Sequence, residues 1–303
     1  MRVSTCLLFV LGLGLITTST RTASGYCRSS TCRDVPICDN DPNVDPNCVP
    51  LVWKRPCVGV SLQVASSNQV PWDVANAIVT KAFEAWEEPS CDLVFGAKPN
   101  IHVENLGPVD CDLVQYNSKA ANANVVVFRD QNWPHPTGPH NLALTTVTYD
   151  VRTGEIFDAD MEINAAGYGL TTGDADVQSD LLSIVTHEAG HFIGLSHSLD
   201  STATMWPNYT TGSIGLRTLA VDDIAAVCAV YPPVDPPVDK TTCDPIPRHG
   251  FSPECLSKQN EGDCSVSGPL GSQQSSGSAL VLAALAMMAR VRRSRSRNVH
   301  RRS

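Results

Sequence analysis

The chain has 303 residues, suited to one catalytic domain with appendages, and 42% of them are hydrophobic, enough for a core. Nine of its 22 basic residues are arginines in the first 25 and last 14 positions, which contain no acid. Residues 26–289 therefore carry 13 basic and 31 acidic residues, net −18, a balance that excludes a nucleic-acid partner and suits hard cations.

In chain order, Arg2, the apolar run Cys6–Ile16 and the small-residue exit Ala23-Ser24-Gly25 read as a secretory signal peptide over 1–25. Residues 26–52 are rich in Cys, Asp, Asn and Pro and predict a small disulfide-stapled extension. Twelve cysteines are present. With Cys6 in the leader and Cys264 in the tail, ten remain, at 27, 32, 38, 48, 57, 91, 111, 228, 243 and 255. An even set in an exported chain without a C-x-x-C pair points to disulfides, whose connectivity stays open.

A strand is expected at Cys57–Val64. A helix opens at Val70-Pro71-Trp72-Asp73, carries Val74, Ile78, Ala82, Phe83 and Trp86 at helical spacing, and stops at Pro89. Short strands are expected at Leu93–Phe95, Ile101–Val103, Val125–Phe128, Leu144–Tyr149 and Glu155–Asp158. Three prolines make Asn132–His140 a loop. A second helix is expected over Val177–Gly194 and a third over Leu219–Tyr231. Past Tyr231 a polyproline stretch predicts a stiff linker over 233–263. The order predicts an α+β domain at about 53–232 with a twisted sheet.

The chemistry centres on His187-Glu188-Ala189-Gly190-His191-Phe192-Ile193-Gly194-Leu195-Ser196-His197. His187 and His191 are i and i+4 on one helix face, a spacing that suits two metal ligands. Gly194 lets the chain leave the helix and bring His197 back as a third. Three protein ligands leave a fourth tetrahedral position for water, as catalytic zinc requires. Glu188, one residue round the helix, is the candidate general base.

This motif, followed eight residues later by Met205, resembles the metzincin signature H-E-x-x-H-x-x-G-x-x-H with its methionine turn. Ser198 after the third histidine, the stretch Ala203–Tyr209 and Leu219–Val227 resemble the matrixins. The resemblance covers about 53–232. It implies a zincin-like catalytic domain with a mostly parallel sheet, one catalytic zinc at His187, His191 and His197, and Glu188 as general base. It also implies Met205 as an apolar floor and Pro207 and Tyr209 as a wall of the substrate pocket. Thr153–Asp160 resembles a calcium-binding segment of bacterial matrixin-like proteins, which implies Asp158 and Asp160 as calcium ligands. The pattern departs from vertebrate matrixins at Ile156, where a structural-zinc histidine would stand, and only His135 and His140 lie near. The cysteine-switch motif is missing, and Arg55-Pro56-Cys57 only echoes it.

Cys264, a Gly/Ser-rich stretch, the apolar run Ser278–Ala289 and seven arginines resemble the C-terminal sorting signals of myxobacterial surface proteins. Twelve residues span only about 18 Å as a helix against a hydrocarbon core of about 30 Å. Transient membrane contact through 264–303 is therefore expected. The matrixin resemblance implies an endopeptidase acting on extracellular polypeptides, expected to be monomeric and secreted or surface-displayed. Every proposed ligand lies before residue 210 and the last predicted helix ends near Tyr231, so nothing past about residue 240 is expected to be needed for catalysis. The alternative is a non-catalytic zinc-binding surface protein on the same scaffold.

Overall fold

A computed structural model describes residues 25–32, 35–39, 41–92, 96–255 and 281–282. The expected leader up to residue 24, the expected strand Leu93–Phe95 and almost all of the tail lie outside the described residues. The α+β expectation holds. The main sheet contains β3 (Cys57–Gln63), β4 (His102–Val109), β5 (Val125–Phe128), β6 (Ala143–Tyr149) and β7 (Ile156–Ile163). Their order is β6-β7-β5-β3-β4, parallel at every junction except the antiparallel β6–β7 pair.

One face of this sheet is apolar. Val58, Val60 and Leu62 of β3 join Met161 and Ile163 of β7 in a single core with α1 (Trp72–Glu87) and α2 (Leu181–Phe192). Helix α1 has the expected bounds, but its buried line is Ala75, Val79, Ala82, Phe83 and Trp86. Val74 and Ile78 flank that line and are only half-buried. Strands β4 and β7 run longer than their apolar stretches suggested, because β7 buries Asp158, Asp160 and Glu162 along with its apolar residues.

Helix α2 starts at Leu181 rather than Val177. Ser179–Asp180 form β9, paired with β8 (Leu170–Thr171), and the Asp180 carboxylate accepts the Ser183 N–H as N-cap. Helix α3 (Val221–Val230) closes the domain. All ten singled-out cysteines pair, as 27–38, 32–48, 57–243, 91–228 and 111–255. Cys57 is thus in a disulfide, so Arg55-Pro56-Cys57 presents no free thiol.

Two expected appendages pack against the domain. Within 26–52, β1 (Cys27–Arg28) pairs with β2 (Ile37–Cys38) and with β10 (Leu195–Ser196), directly before His197. Gly25, placed at the end of the expected leader, donates its N–H to Asp222 at 2.6 Å and accepts from Leu199. The expected linker over 233–263 does not stand free along 239–255. Two disulfides and Arg248, which contacts both Glu155 and the Phe157 ring, hold it against the sheet, and the Lys240–Glu87 ion pair ties it to the end of α1. Composition showed its prolines but not its partners, which lie far off in sequence. Of the run Ser278–Ala289, expected as a short helix, only Val281–Leu282 are described, as strand β11 along the free edge of β6. No helix among the described residues is long and apolar enough to cross a membrane.

Candidate metal centre and active site

Helix α2 is held from both sides by buried indoles. Trp86 Nε1 donates to the Thr186 carbonyl at 2.8 Å and Trp53 Nε1 to the Phe192 carbonyl at 2.9 Å. These bonds fix the turns from which His187 and His191 project. Gly194, with φ of 92°, then reverses the chain; a side chain there would lie 2.7 Å from the Leu51 carbonyl oxygen. β10 follows, anchored by β1, and delivers His197.

The three rings converge with centroids 4.7–5.2 Å apart. Each histidine offers a nitrogen within 4.8 Å of the others, a group suited to a metal ion. The second nitrogens of His187 and His191 are tied outward. His187 Nδ1 lies 2.7 Å from the Thr204 carbonyl oxygen and His191 Nδ1 lies 3.0 Å from that of Leu195. A carbonyl only accepts, so Nδ1 carries the proton and each Nε2 keeps its lone pair, the tautomer a metal ligand needs. His191 Nε2 and His197 Nε2 stand 3.2 Å apart. Two ligands about 2.05 Å from a tetrahedral zinc stand about 3.3 Å apart. The donor set and its spacing fit zinc.

Burial, reinforced by the neighbouring His191, pushes His187 down to about 3 and His197 down to about 2. Glu188 moves the other way. Its burial raises the carboxyl above the usual range, against the opposing pull of His191 and of hydrogen bonds from Thr145.

Met205 is buried beneath α2, with its sulfur so close to Gly190 that a Cβ there would lie 2.2 Å from it. Its turn is held by a carboxylate that sequence reasoning assigned no role. Asp223, at the start of α3, accepts the N–H groups of Thr204, Met205 and Ala220 at 2.7, 3.0 and 2.8 Å. Neighbouring Asp222 accepts from Ser198 Oγ at 2.6 Å. The acidic pair opening a helix soon after the motif was the available signal. Pro207 is half-buried. Tyr209 Oη accepts the Asp180 N–H and donates to the Ser213 carbonyl, which ties the segment after the methionine to the start of α2.

Asp158 and Asp160 are not at this centre. They lie on β7 with burial raising both, Asp160 to about 8. Asp160 accepts the Gln115 and Val125 N–H groups, whereas Asp158 Oδ1 has no partner. Glu162 is bound by Arg129 and His135. A cavity of about 570 Å3 lined by Asp73, Lys81, Asp174, Leu182 and Arg217 contains none of the three histidines.

The matrixin family profile matches residues 52–232. Metalloendoproteinase 1-MMP of Arabidopsis thaliana is 43% identical over 65 residues, 20% of this chain and 16% of that protein. Interstitial collagenase of Oryctolagus cuniculus is 30% identical over 189 residues, 54% of this chain and 36% of that protein. Matrix metalloproteinase-C of Caenorhabditis elegans is 47% identical over 58 residues, 18% of this chain and 10% of that protein. The chain thus spans well under half the length of each of these relatives.

Proposed function

The chain belongs to the matrixin family, and from that premise we propose that it is a zinc-dependent endopeptidase acting on extracellular polypeptides. The observation that carries the reading is the pair of outward-tied Nδ1 atoms with His191 Nε2 and His197 Nε2 left 3.2 Å apart.

In this reading His187, His191 and His197 hold one zinc. When bound, zinc acidifies a water and polarises the scissile carbonyl. Glu188 accepts the proton of the attacking water and returns it to the departing amine, so its raised affinity for protons suits both roles. Met205 closes the floor of the site, and Pro207 and Tyr209 wall the side-chain pocket. Export by residues 1–25 and surface delivery by 264–303 belong to the same proposal, and the five disulfides support an oxidising destination. A calcium ion at Asp158 and Asp160 is supported by the two buried carboxylates and the unpartnered Asp158 oxygen. Its test is a rise in melting temperature with millimolar calcium that Asp158→Asn removes.

The test of the main reading is Glu188→Gln. The variant should keep one zinc per chain and lose proteolysis of a peptide library by about 100-fold or more. Activity near wild type in the zinc-loaded variant removes Glu188 from its role. A zinc-loaded wild-type protein that cleaves nothing in the library favours a non-catalytic surface protein instead.

A further inference from the structure

We infer that Thr145 is a positioning residue for Glu188: its hydroxyl holds one oxygen of the Glu188 carboxylate and so aims the other at the reacting water. The inference rests on the endopeptidase reading above and adds a residue outside the zinc motif.

Thr145 lies on β6, 42 positions before the first histidine. Its Oγ1 is 2.7 Å from Glu188 Oε2 and 3.3 Å from the Glu188 carbonyl oxygen. A hydroxyl has one proton. The shorter, charge-assisted contact takes it, and the longer one is secondary. Glu188 Oε1 receives no hydrogen bond from any described residue. The carboxylate is thus held at one oxygen and free at the other, as a base that must meet a water requires.

The holder is itself rigid. Thr145 is 2% exposed. Its strand is paired with β7, where Thr145 faces Met161, and the β-branched side chain has few rotamers. Glutamate alone has a flexible stem, and burial near His191 does not choose its direction. The Thr145 bond does.

The experiment compares Thr145→Val, Thr145→Ser and Thr145→Ala with wild type in the zinc-loaded full chain, on one peptide substrate. Valine keeps the shape and removes the donor. We expect kcat to fall about tenfold to a hundredfold with KM within about twofold and zinc content unchanged, because an aim is lost and no substrate contact is. Serine should restore kcat to within about threefold of wild type, and alanine should not. A role confined to packing would lower zinc content or melting temperature and would not be rescued by serine. If the valine variant fails to fold, the serine–alanine pair at matched zinc content decides: equal kcat for the two overturns the inference. So does a zinc-loaded valine variant with wild-type kcat, which leaves the endopeptidase reading standing. An inactive zinc-loaded wild type removes that reading and this inference together.

Discussion

At the scale of single residues, the histidines combine two demands that oppose each other in water. In the proposed zinc site they must gather within bonding distance of one ion, and they must remain unprotonated. Burial meets the second demand by holding His187 near 3 and His197 near 2. The consequence for stability has a definite sign. Between these values and the unfolded value of about 6.5, the unfolded chain binds more protons than the folded one. The stability these groups contribute is therefore present above about pH 6.5 and lost as pH falls toward 3. The metal-free protein should melt at a lower temperature at pH 4.5 than at pH 7. The slope should be shallower in metal-free His197→Asn, which has one fewer site to protonate. Parallel melting curves for the two proteins across this range would rule out the account. The histidines and Glu188 were legible because their spacing alone carries the chemistry. Thr145 and Asp223 were not, because their roles exist only through contacts with residues 43 and 19 positions away.

At the scale of elements, α2 is a helix packed on two sides, and Gly190 is where it has no room. A Cβ there would meet Met205 Sδ at 2.2 Å and Trp86 Cζ2 at 2.8 Å. Trp86 is pinned by its bond to Thr186, and the Met205 turn is pinned by Asp223. Trp86 cannot yield without straining that buried hydrogen bond, and the Met205 thioether can yield only by swinging out of its place beneath α2. Gly190→Ala should therefore cost about 1–3 kcal/mol in urea unfolding despite alanine's better helix propensity. It should also weaken zinc binding by displacing the turn that carries the Thr204 carbonyl. An unchanged or raised stability would show that the turn is softer than these bonds imply. The same turn gives Asp223→Ala a clear expectation. Three backbone N–H groups lose their acceptor, two of them in the methionine turn, so zinc content should drop along with melting temperature.

At the scale of the molecule, disulfides bind sequence-distant segments to the domain. Cys57–Cys243 and Cys111–Cys255 close loops with separations of 186 and 144 residues. Each such bridge typically contributes about 2–4 kcal/mol, chiefly by restricting the unfolded chain. Cutting after residue 240 removes both partners and leaves Cys57 and Cys111 unpaired. Truncation after residue 255 should keep zinc-dependent activity and melting temperature, whereas truncation after 240 should lower the melting temperature by several degrees or abolish secretion of folded protein. Equal melting temperatures for the two truncations would show that the docked segment adds nothing to the fold.

The sequence by itself determined what depends on local spacing. The i, i+4 histidines, the glycine exit and the third histidine are read within eleven residues. The helical period of α1 and the continuous apolar run of β5 are read along a single element. An even set of ten cysteines pointed to disulfides without saying which paired. The tertiary structure decided everything that depends on which distant segments meet. It chose the five disulfide pairs and placed β1 beside the strand that delivers His197. It turned an apparent linker into a docked segment, moved the start of α2 to the residue its cap selects, and set a threonine hydroxyl against the candidate base. The physical reason is common to these cases. Hydrogen bonds and close packing act over a few ångströms in space, and only folding converts separations of tens to hundreds of residues into such distances.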